Sequence, residues 1–428
     1  MKTNSWKIKL LTIQLLAIIL LGNEGLCAKS KGHFFAATEK ILITPQTPLP
    51  MSGYASRKAP FKGVHDDIYA RVLVVGDGTK NAAIISTEII GISDSFWSEC
   101  TPLISKATGI PVEYIFLSAV HNHNGPSLSV YEEATPDVQA YKKELMNKLV
   151  QSTKLAVNNL KPATIGIGKG ESKMNINRVA PDGKGGTTLG LNPYGTCDHE
   201  LTVLKINDDF GIPLAMLINW PCHAVCLGPK NYFISGDWPG VAASYVESKI
   251  GKGVVAPIVI GASGDINPLY GPHVDFEVNN SYSFGKDAIG EDVGKEAIRV
   301  AGTIKVKKIS KINAIQRTIY LALKDSDNNM LRYSDKPDSM LVRLSAMKIG
   351  DVVITGVSGE VFNEISLNLR KRSPYSNTFM ITHCNGSCGY LITDKTYVIG
   401  GYETKSTRAK IGAEKAIVEN LLDMIKKL

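Results

Sequence analysis

Four apolar runs in this chain of 428 residues end abruptly in side chains that can bind metals or carry protons. Residues 114–120 run straight into His121-Asn122-His123. The run 215–218 is followed by Asn219-Trp220-Pro221-Cys222-His223. The run 254–260 exits into Gly261-Ala262-Ser263-Gly264-Asp265-Ile266-Asn267-Pro268, and 352–357 exits into Ser358-Gly359-Glu360. Short apolar runs bounded by turn residues read as buried strands. In α/β sheets, ligands collect beyond the carboxyl ends of strands, where loops can converge without disturbing the core. Four strands ending in His, His, Asp and Glu predict one shared site, provided the ends are neighbours.

Further β-rich runs lie at 71–75, 82–86, 164–168, 201–206, 341–349 and 379–382. Amphipathic helical patterns occupy 96–108, 138–160, 240–250, 291–300, 360–371 and 409–428. Strands and helices interspersed along the whole chain predict a mixed α/β fold, with a large mixed β-sheet core flanked by helices in one domain over 29–428. The Gly-, Asn- and Ser-rich stretch 269–289 reads as a long loop over one face.

Composition removes several alternatives. A chain that is 44% hydrophobic and 21% charged is neither disordered nor low-complexity. Its net charge of +8 is spread along the chain, and its basic runs are short and free of aromatic residues, so no nucleic-acid partner is expected. Lys2, Lys7 and Lys9 precede an apolar stretch over 10–22, and the small residues Gly25, Cys27 and Ala28 follow. This is the pattern of a signal peptide over 1–28, since the stretch falls short of the roughly 20 residues a membrane span needs. The mature protein is therefore expected outside the cytoplasm, periplasmic or secreted. Six cysteines then remain, including two CxxxC pairs, Cys222/Cys226 and Cys384/Cys388. These could form a four-thiolate zinc site, but an oxidising compartment favours buried thiols or disulfides.

Two histidines and a carboxylate are a common catalytic zinc set, because three protein ligands leave a position for water, whose pKa the metal lowers. If His121-Asn122-His123 were extended, both imidazoles would point to one side. Taken alone, each element has a plainer explanation: a hydrogen-bonded histidine pair, or a glutamate favoured by a helix dipole. Their repeated placement at strand ends is what raises the joint reading. The turn 261–265 lacks the lysine-serine pair of a phosphate-binding loop.

The motifs, in order, resemble those of the neutral/alkaline non-lysosomal ceramidase family, zinc-dependent amidases that split ceramide. Gly53-Tyr54-Ala55, Gly63-Val64-His65 and Ala70-Arg71 resemble the family's opening stretch. Ser118 through Pro126 resembles its S-x-x-HTHSGP motif. Asn175-Ile176-Asn177-Arg178 is similar to its NxNR signature, Asp198-His199-Glu200-Leu201 to its DKEM stretch, and Ile234-Ser235-Gly236-Asp237 to its ISSDN. Ser358-Gly359-Glu360 resembles its PGE, while Tyr390, Thr393, Tyr397, Tyr402 and Glu403 keep the offsets of its last motif.

The resemblance implies that one Zn²⁺ is held by His121, His223, Glu360 and Tyr390. It implies substrate contacts from His123, Arg178 and Tyr402, with Asp265 and Asn267 completing the catalytic set. The implied activity is hydrolysis of ceramide or another N-acyl lipid, with peripheral contact at a membrane surface. Two departures bear on this. The family's GDVSPN reads Gly264-Asp265-Ile266-Asn267-Pro268-Leu269, so an amide replaces a serine hydroxyl. The usual C-terminal β-sandwich has no counterpart soon after Glu403, so the resemblance covers the catalytic domain. The same zinc fold acting on a glycan- or peptide-derived amide or ester remains open, as does a non-catalytic envelope protein that binds lipid or carbohydrate.

Overall fold

Strand Asn81–Thr87 is Ala- and Ile-rich and buried along almost its whole length, as a strand paired on both sides in a sheet covered on both faces is. A computed structural model of the chain describes residues 34–128, 135–271, 284–309, 311–324, 336 and 338–428, and the expected leader lies outside these. The largest sheet has eight strands. Edge to edge they are Ile258–Ile260, Pro213–Trp220, Glu200–Asp208, Lys161–Glu171, Phe35–Leu42, Tyr69–Gly76, Asn81–Thr87 and Ile115–Ala119. The outermost pair at each edge is parallel and the interior pairings are antiparallel, so the sheet is mixed, as expected.

A second mixed sheet of four strands runs Ile312–Ala322, Ser339–Ile349, Val352–Val357 and Asn377–Ile381. The core thus divides between two principal sheets. Side chains from both share one apolar cluster that includes Phe116, Ile354, Phe379 and Ile381. Helices Asn363–Arg372 and Ala413–Lys426 cover a second cluster on the four-stranded sheet, and helices Asp237–Ile250 and Phe284–Thr303 a third on the eight-stranded one. Local signals set the ends of these helices. Ser93 Oγ accepts from Phe96 N to start helix Asp94–Thr108, and Gly109, at φ 72°, closes it. Among the described residues no helix is long and apolar enough to cross a membrane.

Several expectations need correction. Glu360 does not open a helix: Glu360–Val361 is a short strand, and the helix begins at Asn363. The C-terminal end of the expected loop 269–289 is helical, because helix Phe284–Thr303 begins there; residues 272–283 lie outside the described set. Of the run 254–260 only Ile258–Ile260 is strand. Strand Asn175–Pro181 escaped a search for apolar runs because its sequence, NINRVAP, is polar where it meets the site.

The condition on the strand ends holds, because the loops beyond them are stitched together by backbone hydrogen bonds. His223 N donates to Ile266 O (3.0 Å), Gly264 N to Val361 O (2.8 Å), Thr382 N to Ile260 O (2.9 Å) and Ala119 N to His383 O (3.2 Å). Asn385 is the densest knot. Its Oδ1 accepts from Leu117 N (2.9 Å), and its Nδ2 donates to Ile115 O (3.0 Å) and Ser345 Oγ (3.0 Å). It is buried at φ 61°, a conformation asparagine tolerates better than most residues. Asn385→Ala leaves a buried N–H and a buried carbonyl unpaired, so it should lower the unfolding free energy by about 2–5 kcal/mol in urea denaturation. A change within about 0.5 kcal/mol would show that the two sheets are joined by something else.

Candidate functional site

His121 follows strand Ile115–Ala119 with φ at 56°, so the His-Asn-His segment is not extended. The rings converge for another reason. Asn122 between them is turned inward, its Nδ2 donating to Glu88 O (3.0 Å) and Ser235 O (2.7 Å). The two imidazoles meet edge to face at 4.7 Å, with Nε2 to Nε2 at 3.2 Å. His121 Nδ1 lies 2.9 Å from Ile90 O, and His223 Nδ1 lies 2.7 Å from Ser263 O. A carbonyl only accepts, so each Nδ1 carries the proton and each Nε2 presents its lone pair.

Glu360 completes the cluster. Its strand pairs with Tyr390–Leu391 in parallel, Glu360 beside Tyr390, and the close approach of Gly264 fixes its backbone. A β-carbon on Gly264 would meet Glu360 O at 2.7 Å. Glu360 Oε2 lies 3.4 Å from Nε2 of both His121 and His223, and no hydrogen-bond donor reaches it among the described residues.

Arg178 spreads over the other side. Its Nε donates to Glu403 Oε1 (2.8 Å), its Nη1 to Asn267 Oδ1 and His223 Nε2 (3.2 Å each), and its Nη2 to the Tyr390 hydroxyl (2.9 Å). Burial works against its charge, but Tyr390, Glu403 and Glu360 more than offset this and keep it protonated. Tyr402, half exposed, meets Tyr390 edge to face at 5.9 Å. Both oxygens of Asp265 are taken up by partners other than the histidines. It accepts from Asn363 N (2.8 Å), Asn363 Nδ2 (2.6 Å) and Asn177 Nδ2 (3.1 Å), which makes it a brace for the helix start and the Arg178 strand. Burial pushes its carboxyl up to about 7 against those donors.

The donor set fits a divalent cation. His121, His123 and His223 offer nitrogens all within 4.8 Å of one another, and Glu360 adds an oxygen to two of them. Burial, reinforced by Arg178, depresses His223 to about 3, and burial together with the neighbouring His121 and His223 holds His123 well below its ordinary value. Burial alone would raise Glu360, yet His121 and His223 hold it well below the carboxylate range. Burial raises the Tyr390 phenol well above its ordinary value, although the Arg178 guanidinium beside it acts the other way.

The cysteines do not compete for this role. All six described ones are free, and none belongs to the group of potential ligands. Three neighbours of the site were not anticipated as part of it. His383 stacks on His121, Glu403 anchors Arg178, and buried Arg57 donates to the carbonyl of His123. His383 was legible, since the apolar run 379–382 exits directly into it. Arg57 carried no such signal.

Comparison with known proteins gives the arrangement a context. Residues 42–281 match the family model described as neutral/alkaline non-lysosomal ceramidase, N-terminal. Neutral ceramidase B of Dictyostelium discoideum is 29% identical over 238 residues, covering 51% of this chain and 33% of that protein. Neutral ceramidase of Pseudomonas aeruginosa is 26% identical over 233 residues, covering 51% and 34%. The matched stretch thus spans about a third of the length of these curated relatives. The crystal structure of the Pseudomonas aeruginosa enzyme superposes with a TM-score of 0.76 at 18% identity, over 92% of this chain and 74% of that one. A ceramidase complexed with C2 gives 0.75 at 18%, over 92% and 75%. At this identity the structural likeness establishes the fold.

The depressed His223 has a consequence for stability. Its folded value of about 3 lies below the unfolded value of about 6.5, so the unfolded state binds the proton first. The stability that a neutral His223 contributes is complete above pH 6.5 and is lost as pH falls toward 3. Between pH 6.5 and 4.5, chelator-treated protein should lose up to about 1.4 kcal/mol per pH unit more than a His223→Gln variant in denaturant titrations. Parallel curves would mean that His223 is not held neutral.

Proposed function

The chain belongs to the neutral/alkaline non-lysosomal ceramidase family, and on that premise we propose that it is an exported zinc-dependent amidohydrolase acting on ceramide or a related N-acyl lipid. The observation that carries this reading is the placement of Glu360 Oε2 at 3.4 Å from Nε2 of both His121 and His223, buried and without a hydrogen-bond donor among the described residues. These three, with Tyr390, would hold the zinc. A zinc ion there supplies Lewis-acid polarisation and makes water acidic near neutral pH.

The chain's own residues do the rest. The backbone carbonyls of Ile90 and Ser263 orient the imidazoles by binding their Nδ1–H groups. His123 lies beside His121 with its Nδ1 unpartnered among the described residues, which leaves that nitrogen able to accept a hydrogen bond from the substrate. Arg178, fixed by Glu403, holds a cationic donor toward polar oxygens of the substrate. Asn267 cannot attack a carbonyl, and its Oδ1 instead accepts from Arg178, so the chemistry runs without a side-chain nucleophile.

The surface beside Tyr402 supports a substrate with hydrocarbon chains. Val398 is 81% exposed and Ile399 44% exposed on the same segment. Leu189 is exposed on the strand whose Thr187 bonds Gly400 O. Such apolar exposure also suits peripheral contact with a lipid surface.

Purified protein should contain one zinc per chain by elemental analysis and hydrolyse N-acylsphingosines in preference to amidated sugars. His223→Ala should remove the zinc and lower kcat/KM by at least about 10³. Undiminished activity after exhaustive chelation would contradict the zinc assignment, and preference for the sugars would contradict the substrate.

A further inference from the structure

We propose that His383 is a positioning residue for the metal site, its imidazole serving as a plate that holds the ring plane of His121. The inference rests on the reading of His121 as a ligand. The two rings are nearly parallel, 16° apart, with centroids at 3.9 Å, closer than aromatic pairs usually stack. His383 is 2% exposed, and its Nε2 has no hydrogen-bond partner among the described residues. Its place is therefore set by the backbone and by the stack. Ala119 N donates to its carbonyl, Ser118 and Cys384 form an antiparallel bridge, and Thr382 and Asn385 on either side are bonded to Ile260 O and Leu117 O.

His121 needs such a plate. Its hydrogen bonds, from Nδ1 to Ile90 O and between Nε2 and His123 Nε2, lie in the ring plane and leave the ring able to rock about that axis. His123 and His223 approach it steeply, at 86° and 74°, with centroids at 4.7 Å, and His383 lies flat against it. Rotation of His121 away from Glu360 would have to displace His383, which the close-packed loop resists. The residue type follows from the backbone: φ at His383 is 50°, where histidine is one of the few ring-bearing residues found with any frequency.

The test uses the full chain and Zn²⁺ competed against a chromophoric chelator, with the visible spectrum of the Co²⁺-substituted protein as a second readout. His383→Asn deletes the ring but suits the left-handed backbone, while His383→Phe keeps a ring without nitrogen. The Asn variant should bind Zn²⁺ about 10–100-fold more weakly and alter the Co²⁺ spectrum, and a folded Phe variant should recover to within about threefold of the parent. Parent-like affinity in the Asn variant overturns the proposal. So does a folded Phe variant as weak as Asn, because Nε2 rather than the ring plane would then be the active feature. Should Phe not fold, the Asn result alone decides. Failure of the parent protein to bind zinc would instead sink the zinc reading itself.

Discussion

Three acceptor atoms meet in a buried space with no proton among them, and the surrounding structure exists to hold them there. Oε2 of Glu360 stands 3.4 Å from Nε2 of both His121 and His223. Lone pairs at that distance repel unless positive charge sits between or beside them. Arg178 supplies part of it, through Nη1 on His223 and Nη2 on Tyr390. The remainder is what the proposed cation would bring.

Holding such a cluster takes strained backbone and exact crossings of loops. Among the described non-glycine residues with positive φ are His121, His383 and Asn385, in loops at this centre, and Asp237, at the start of helix Asp237–Ile250. Asp237 accepts from Cys226 N (3.3 Å), Leu227 N (3.2 Å) and Asn124 Nδ2 (2.8 Å), which ties the loop after His223 to the one after His123. Strained conformations persist where neighbouring contacts over-determine them, and here those contacts are the hydrogen bonds that join the two sheets. Stability and function therefore draw on the same residues. Gly264 shows the tolerance involved, since one added carbon would press on the peptide of Glu360.

Much of this could be read from the chain because it follows from a general property of sheets. Apolar strands ending in His121, His223 and Glu360 pointed to residues that the fold brings together, and the family resemblance pointed to Tyr390 and Tyr402. What remained hidden depends on tertiary context. Glu360 looks like a helix start, and only its pairing with Tyr390 makes it strand. Strand Asn175–Pro181 lacks an apolar pattern because it places Arg178 among charges. Asp265 shares a strand-end position with the histidines but turns to brace Asn363 and Asn177, a direction that spacing cannot reveal. Arg57 reaches His123 through carbonyl contacts, which leave no trace in residue type.

The most direct measurement is a crystal structure with anomalous scattering recorded on both sides of the zinc absorption edge. The account predicts one zinc peak per chain about 2.0–2.2 Å from His121 Nε2, His223 Nε2 and a Glu360 carboxylate oxygen. A zinc-soaked crystal with no peak among these atoms, or with its zinc bound elsewhere, would contradict it.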